Sequence, residues 1–301
     1  MPAHCDDSQA PCMRLRSLLF VPGDRPDQMQ KALASGADAL ILDLEDSVSV
    51  PRKDQARRDV AAFVRRADRS MPLLVRINPV ASGLLDADLG ALHEARPDGL
   101  VLPKAEGADS LVTLLDLMKE RGMSPLPVLP IATETAAAIF RLAEYSTVSE
   151  HLLGLTWGAE DLSAAVGATT ARTVDGRFTA PYEMVRGLAL FAAHAAQVAA
   201  IETVYPSFRD LEGLARYAAC GARDGFTGMM AIHPSQVGVI NAAFTPSAEA
   251  VAHARRILEE FAKHPGAGVL NIDGAMVDAP HVKQAQRVLA LATSGPEGNT
   301  T

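Results

Sequence analysis

The chain has 301 residues, of which 48% are hydrophobic and only 5% aromatic, and its formal net charge is −8. The negative balance argues against a nucleic-acid or anionic-membrane surface, because both require a basic face to neutralise phosphate. The length suits one large domain, or a barrel of roughly 250 residues with an appendage. Much of the apolar share is Ala, Val and Leu, which is typical of an α/β fold.

Cysteine usage and the absence of long apolar runs indicate the compartment. The three cysteines Cys5, Cys12 and Cys220 form neither a CxxC pair nor a disulfide framework, so a reducing cytosol is expected. No apolar run approaches the roughly 20 residues of a membrane span, and the polar N-terminus lacks a signal-peptide core. We therefore expect a cytoplasmic protein with no membrane partner, and disordered tails at residues 1–13 and 294–301.

Short apolar runs alternate with helical sequence along most of the chain. We predict strands at residues 17–21, 39–43, 73–79, 99–104, 127–132, 151–157, 199–204 and 228–232. Helical sequence follows at about 26–34, 53–66, 110–121, 160–166, 182–196 and 210–219, and an Ala-rich helical stretch begins after Thr135. Such a series of strand–helix units predicts a (β/α)₈ TIM barrel, whose active site lies at the carboxyl ends of the strands.

The chain continues beyond the eighth unit. A helix is predicted at 247–263, two alternating runs at 269–278 surround a turn and predict a hairpin, and a last helix begins near Pro280. A barrel does not need these residues for closure. We therefore expect a catalytic barrel at 14–245 and a helix–hairpin–helix appendage at 246–293 that serves as an oligomerisation element or lid.

Polar residues stand where the predicted third, fifth and sixth strands end: Arg76, Glu134 and Asp161. The two carboxylates facing an aqueous cleft form a hard oxygen site of the kind that Mg²⁺ accepts, whereas zinc would favour His or Cys clusters. Arg76 supplies a planar fork suited to a substrate carboxylate or an enolate oxygen. Two alternatives stay open: Asp161 and its neighbour Glu160 as helix-capping acids, and Arg76 as a structural ion-pair partner of Asp43 or Glu45.

Eight short motifs along the chain resemble the citrate lyase β-subunit-like proteins, and the match runs in order from about Arg14 to Ala292. They are Ser17-Leu-Leu-Phe-Val-Pro-Gly, Asp43-Leu-Glu-Asp-Ser-Val, Val75-Arg-Ile-Asn, Val101-Leu-Pro-Lys, Glu134-Thr-Ala, Trp157-Gly-Ala-Glu-Asp-Leu, Ala231-Ile-His-Pro-Ser-Gln and Gly274-Ala-Met-Val-Asp. The resemblance implies a Mg²⁺-dependent carbon–carbon lyase on a TIM barrel, within the wider malyl-CoA lyase and 2-keto-diacid aldolase superfamily. It also implies a homo-oligomer, a homotrimer or homohexamer.

The resemblance implies a role for individual residues. Glu134 and Asp161 would bind the metal, Glu134 also facing the substrate, while Arg76 would bind substrate and enolate. Asp278 would be the catalytic acid/base, reaching the active site of a neighbouring subunit. Lys31 matches a position that contacts CoA phosphate in related lyases, although an exposed helix lysine is equally compatible with simple solvation.

Two residues leave open how the protein would bind CoA. Asp27 stands where CoA-using relatives often have a second lysine, and Phe20 where they can have tyrosine. His233 would contact the thioester, or would instead cap the helix that follows it, and the structural role is slightly favoured.

The expected reaction is cleavage of a 3-hydroxyacyl-CoA such as malyl-CoA, citramalyl-CoA or citryl-CoA, or its formation by Claisen condensation. The partners are then a CoA thioester and a small keto acid, and the cofactor is Mg²⁺. Two alternatives remain: a CoA-independent 2-keto-4-hydroxy acid aldolase, and a subunit of a carrier-protein-dependent citrate lyase complex.

Overall fold

The computed structural model of the chain describes residues 14–67 and 70–293. The predicted tails at 1–13 and 294–301 lie outside these described residues. The described part folds as two compact units, one spanning Leu15–Phe244 and the other containing Arg14 and the chain from Thr245 onward. Among the described helices, none combines the length and the apolar character needed to cross a membrane.

The first unit is built around eight parallel strands, numbered β1 to β8. Their bounds are Ser17–Pro22, Ala39–Asp43, Leu73–Arg76, Gly99–Leu102, Val128–Pro130, Gly154–Thr156, Ala199–Glu202 and Gly228–Ala231. Hydrogen-bonded neighbours run in the order β5-β4-β3-β2-β1-β8-β7-β6. Between β5 and β6 only isolated parallel bridges close the ring, Val128 to Leu152 and Ile131 to Thr156. The predicted TIM barrel is confirmed, and the β5–β6 contact is its seam.

Nine helices of the described chain accompany these strands, α1 to α9. Their bounds are Pro26–Ala32, Lys53–Arg66, Leu85–Leu92, Ala108–Glu120, Ala136–Ile139, Glu160–Ala165, Ala180–Ala195, Leu211–Asp224 and Pro234–Ala243. Amphipathic spacing explains their packing: α2 buries Ala56, Val60 and Val64 on one face and leaves most of its charged side chains, though not Lys53 and Arg57, outside. The strands, covered on both sides, are almost wholly aliphatic and buried.

Most predicted strands are shorter in the structure, and helix α3 was not predicted. Two of the differences have a physical cause. The third strand ends at Arg76 rather than at Pro79, whose nitrogen has no hydrogen to donate to a ladder. The Ala-rich sequence after Glu134 forms only one α-helical turn, α5, capped by the Thr135 side chain. A 3-10 segment, Leu142–His151, then leads to β6.

The second unit has the predicted helix–hairpin–helix order: α10 Ala248–Lys263, β9 Val269–Ile272, β10 Ala275–Asp278 and α11 Ala279–Thr293. The two strands pair antiparallel around Asp273 and Gly274, both with positive φ, which is the backbone that a two-residue hairpin turn requires. The unit has its own small core, formed by Ala254, Ile257, Ile272, Val277 and Ala285.

Candidate active site

The carboxyl ends of β2 and β3 bring an acid and a base together. Asp43 and Arg76 are the last residues of these strands and stand opposite each other in the parallel register. Arg76 Nε and Nη2 each donate to one Asp43 carboxylate oxygen at 2.7 Å, and Nη1 lies 3.1 Å from Glu45 Oε2. The guanidinium also lies 4.8 Å from the centroid of the Phe20 ring. The structural ion pair that was the alternative role for Arg76 is therefore present.

This pairing determines the charge of both partners. Burial acts to raise the pKa of Asp43, but the hydrogen bonds and charge of Arg76 outweigh it and hold that pKa below its ordinary value. Burial likewise opposes the charged guanidinium, yet Asp43 and Glu45 raise the pKa of Arg76. A guanidinium has five N–H donors and Asp43 accepts from only two of them. The structural ion pair thus leaves donors that can hold a substrate carboxylate.

Lys104, two residues beyond β4, connects this pair to the next strands. Its Nζ donates to Glu45 Oε1 at 2.6 Å and lies 3.5 Å from Asp161 Oδ1. Burial raises the pKa of Glu45 despite the opposing charges of Arg76 and Lys104. Burial acts to lower the pKa of Lys104, but its bond to Glu45 more than offsets this, so the lysine stays charged.

Glu134 follows β5 and is the most buried of the predicted metal ligands, with 4% of its surface exposed. The backbone N–H of Lys104 donates to its Oε2 at 2.6 Å. Burial is the main cause that raises the pKa of Glu134 to about 8; the Lys104 N–H acts against the rise, and the charge of Asp161 adds to it. Gly158 leaves room for this side chain, since a Cβ at that position would lie 3.0 Å from Glu134 Cγ.

Asp161 lies in the first turn of α6, just after β6, where a helix favours negative charge. Its side chain is 38% exposed, and Lys104 is its ion-pair partner. The capping alternative finds no support here, because Ala159 occupies the N-cap position and no side-chain cap bond forms. Asp161 is thus an accessible carboxylate beside a buried one.

A buried polar network supports the loop that carries Glu45. Lys53 Nζ donates to the carbonyls of Leu44 and Glu45 at 2.6 and 2.7 Å and to Asn78 Oδ1 at 2.9 Å. Asn78 in turn donates to Asp88 from both its backbone and its side chain, at 2.7 Å each. The network uses all three ammonium donors of Lys53 and so restrains the strand-end loop.

The donor set of the cluster fits a hard divalent cation. Carboxyl groups outnumber cationic side chains in the connected set Asp43, Glu45, Asp46, Arg76, Lys104, Glu134 and Asp161. Glu45 Oε2 is buried and accepts no hydrogen bond, although Arg76 Nη1 lies 3.1 Å away. Burial, with the charge of Asp161 beside it, raises the pKa of Glu134 to about 8. Within the described residues, no three His, Cys, Asp or Glu side chains form a preformed metal-binding site. Two carboxylates with retained waters are what Mg²⁺ accepts.

Three further predicted residues, Lys31, His233 and Asp278, have their own local surroundings. Lys31 is exposed in the last turn of α1. His233 is the N-cap of α9: its Nδ1 accepts from the Ser235 N–H at 3.2 Å, and its ring stacks on Phe208 with centroids 4.9 Å apart. Asp278, at the end of β10 in the second unit, has its Oδ1 2.6 Å from His281 Nδ1.

Sequence reasoning missed the participation of Lys104 and Lys53. Lys104 closes the Val-Leu-Pro-Lys motif at a strand end, and that position was a usable signal. Lys53 lies in a charged helix, where a buried lysine cannot be told from its exposed neighbours without the tertiary structure.

The fold and the site together define a class: a TIM-barrel enzyme whose acidic strand-end site suits a hard cation and an anionic substrate. The model of the family "HpcH/HpaI aldolase/citrate lyase" matches residues 16–234. The chain belongs to this family, and the predicted resemblance is confirmed.

Individual relatives extend the match over nearly the whole chain. Mitochondrial citramalyl-CoA lyase of Rattus norvegicus is 34% identical, with 93% of this chain and 86% of that enzyme covered. Citrate lyase subunit beta of Leuconostoc mesenteroides subsp. cremoris is 34% identical, with 94% of this chain and 96% of the subunit covered. The crystal structure of CitE from Mycobacterium tuberculosis, in complex with magnesium, acetoacetate and coenzyme A, has a TM-score of 0.81 at 34% identity and covers 93% of this chain and 99% of that one.

Proposed function

We propose that this protein is a Mg²⁺-dependent carbon–carbon lyase that cleaves a 3-hydroxyacyl-CoA, or forms one by Claisen condensation. The observation that carries the proposal is the strand-end cluster, in which Glu134, Asp161, Lys104 and Arg76 belong to one connected set of charges. The names of the relatives support the same reaction class, since they include a citramalyl-CoA lyase and a citrate lyase subunit.

Glu134 and Asp161 would hold the metal. When bound, Mg²⁺ would polarise oxygens of the substrate next to the bond that breaks and offset their charge. The buried Glu134 would be a fixed ligand, because the Lys104 N–H and Gly158 restrict it. The more exposed Asp161 would face the entering substrate and the retained waters.

Arg76 would orient the substrate and stabilise the charge that develops. Its fork is immobilised by Asp43, so the uncommitted N–H groups need no reorganisation when the carbon–carbon bond breaks. Cleavage leaves the bonding electrons on the thioester enolate while the hydroxyl-bearing carbon becomes the carbonyl of the keto acid. The hydroxyl proton would pass to the Asp278 carboxylate in the same step, and this would supply the proton that the enolate carbon takes up afterwards.

Asp278 would act as the acid/base at the enolate carbon. It would protonate that carbon after cleavage, and in condensation the same carboxylate would remove the proton, as microscopic reversibility requires. His281, hydrogen-bonded to Asp278, would orient it. We further propose that Asp278 serves the active site of a neighbouring subunit in a homotrimer or homohexamer located in the cytoplasm.

CoA would be recognised by Lys31 through phosphate and by His233 near the thioester. Candidate acyl groups are citramalyl, malyl and citryl, each of which carries a carboxylate for Arg76. A second candidate function is a carrier-protein-dependent subunit, and the similarity to citrate lyase subunit beta favours it.

The test is an assay of purified protein against citramalyl-CoA, malyl-CoA and citryl-CoA, following release of pyruvate, glyoxylate and oxaloacetate with Mg²⁺ and with EDTA. We expect turnover of at least one thioester, abolished by EDTA. Full turnover in metal-free protein would contradict the metal role. Activity only with an acylated carrier protein would select the second candidate.

A further inference from the structure

The backbone of Lys104 is held in an unusual conformation. Its φ is +51°, in the left-handed region that residues with a side chain rarely adopt. This geometry lets one residue contact the cluster twice: its N–H donates to Glu134, and its ammonium reaches Glu45 and Asp161. Backbone strain of this kind persists where the surrounding structure enforces it, and it concentrates at functional sites.

The contacts of the ammonium group are unequal. The bond to the buried Glu45 is 2.6 Å long, whereas Asp161 lies at 3.5 Å and its side chain is 38% exposed. Asp46 lies further away, at 3.9 Å, and is more exposed still. Lys104 is therefore tightly bound to the acid that lies deeper and loosely bound to the acid that faces solvent.

We propose that Lys104 is a positioning residue that acts as the resident counter-ion of the Glu134–Asp161 site. Its ammonium restrains Asp161 before a divalent cation binds, and the cation then displaces it from Asp161 while it stays on Glu45. This inference rests on the metal role proposed above for Glu134 and Asp161. Its physical basis is repulsion: an ammonium 3.5 Å from one carboxylate competes directly with a cation for that carboxylate.

The inference predicts an affinity change that a merely structural lysine would not cause. Lys104→Gln and Lys104→Met remove the competing charge, so each should bind Mg²⁺ at least about tenfold more tightly than the wild type. Lys104→Arg keeps the charge and should stay within about threefold. Isothermal titration of metal-free protein at fixed pH measures this, with Lys119→Gln, which changes an exposed lysine of α4, as the matched control.

A second readout does not depend on turnover. Melting temperature without metal should fall in both charge-free variants, because the carboxylates then repel one another, and saturating Mg²⁺ should raise it by more than in the wild type. Unchanged or weaker Mg²⁺ binding in folded Lys104→Gln and Lys104→Met would overturn this inference and leave the proposed function standing. If the wild type itself binds no Mg²⁺, the proposed metal site fails and the inference with it.

Discussion

Arg76 donates two N–H groups to Asp43 and lies beside Glu45, yet its side chain remains 13% exposed. One side chain therefore makes the structural ion pairs and, in the proposed function, would also hold the substrate. A lysine at this position would keep the positive charge but could not make the paired, in-plane contact with both Asp43 oxygens.

We accordingly expect Arg76→Lys to fold and to lower kcat/KM by about 100-fold or more, which is roughly what losing one key charge-stabilising donor costs. Steady-state kinetics and thermal melting measure the two effects. The matched control is Arg16→Lys, which alters a comparable Arg–Asp pair just before β1, at the opposite end of the strands. Near-normal kcat/KM in Arg76→Lys would assign Arg76 to structure alone.

Glu134 makes metal-free stability depend on pH. Its pKa is about 8 in the folded protein and near 4.5 when unfolded, so the folded state binds more protons between these values. The free energy of unfolding should therefore fall as pH rises from about 4.5 to about 8. Above the folded pKa, Glu134 should lower it no further.

Glu134→Gln should remove this slope and make the metal-free protein more stable than the wild type at pH 8. Urea denaturation in EDTA at several pH values gives the free energy of unfolding. Glu120→Gln, which changes an exposed side chain of α4, serves as the control. A wild-type slope that survives in Glu134→Gln must come from another group.

At the scale of elements, α9 shows a cap built from an unusual residue. His233 accepts from the Ser235 N–H, and Gln236 Oε1 accepts from the His233 N–H at 3.2 Å. These bonds satisfy donors at the helix start that would otherwise lack partners. Capping needs only a side-chain acceptor for the helix N–H groups, whereas thioester binding would need the imidazole itself. Substitutions of His233 can therefore distinguish the two roles.

His233→Ala should lose about 1 kcal/mol of unfolding free energy, and His233→Asn should keep most of it, because Asn is a good N-cap. Urea denaturation and the KM for a CoA thioester measure stability and binding. If both variants raise KM equally while only the alanine loses stability, His233 also touches the substrate. An unchanged KM in His233→Asn restricts it to capping.

The barrel could be predicted from local sequence because short apolar strand segments alternate with helical sequence along the chain. It also placed Glu134 and Asp161 at strand ends, which depends only on where an apolar run stops. The Asp43–Arg76 contact required the β2–β3 register, and the involvement of Lys104 required a left-handed φ. Register and backbone strain arise from tertiary packing, so a single sequence does not reveal them.

At the scale of the whole molecule, the chain separates into two compact units, with Glu134 in the first and Asp278 in the second. The hairpin that ends at Asp278 has its own core, and the Asp278 side chain is 41% exposed. In the proposed function, this exposed carboxylate would serve another copy of the chain.

We expect that mixing inactive Asp278→Ala subunits with inactive Glu134→Ala subunits restores measurable activity after exchange. Some sites then receive an intact Glu134 from one chain and an intact Asp278 from another. Native mass spectrometry must verify the exchange, and a mixture of Asp278→Ala with itself is the blank. Verified exchange without recovered activity would mean that Asp278 acts within its own chain or not at all.

The seam of the barrel has a consequence for its dynamics. Glu134 and Asp161 follow β5 and β6, the two strands joined only by isolated bridges. A ligand bound by both carboxylates would therefore also link β5 and β6, the two neighbouring barrel strands that are not joined by a continuous hydrogen-bond ladder. The amides of Leu153 and Ala132, which donate across this join to Val128 and Thr156, should then exchange with deuterium more slowly once Mg²⁺ is added, while amides between β1 and β2 keep their rate.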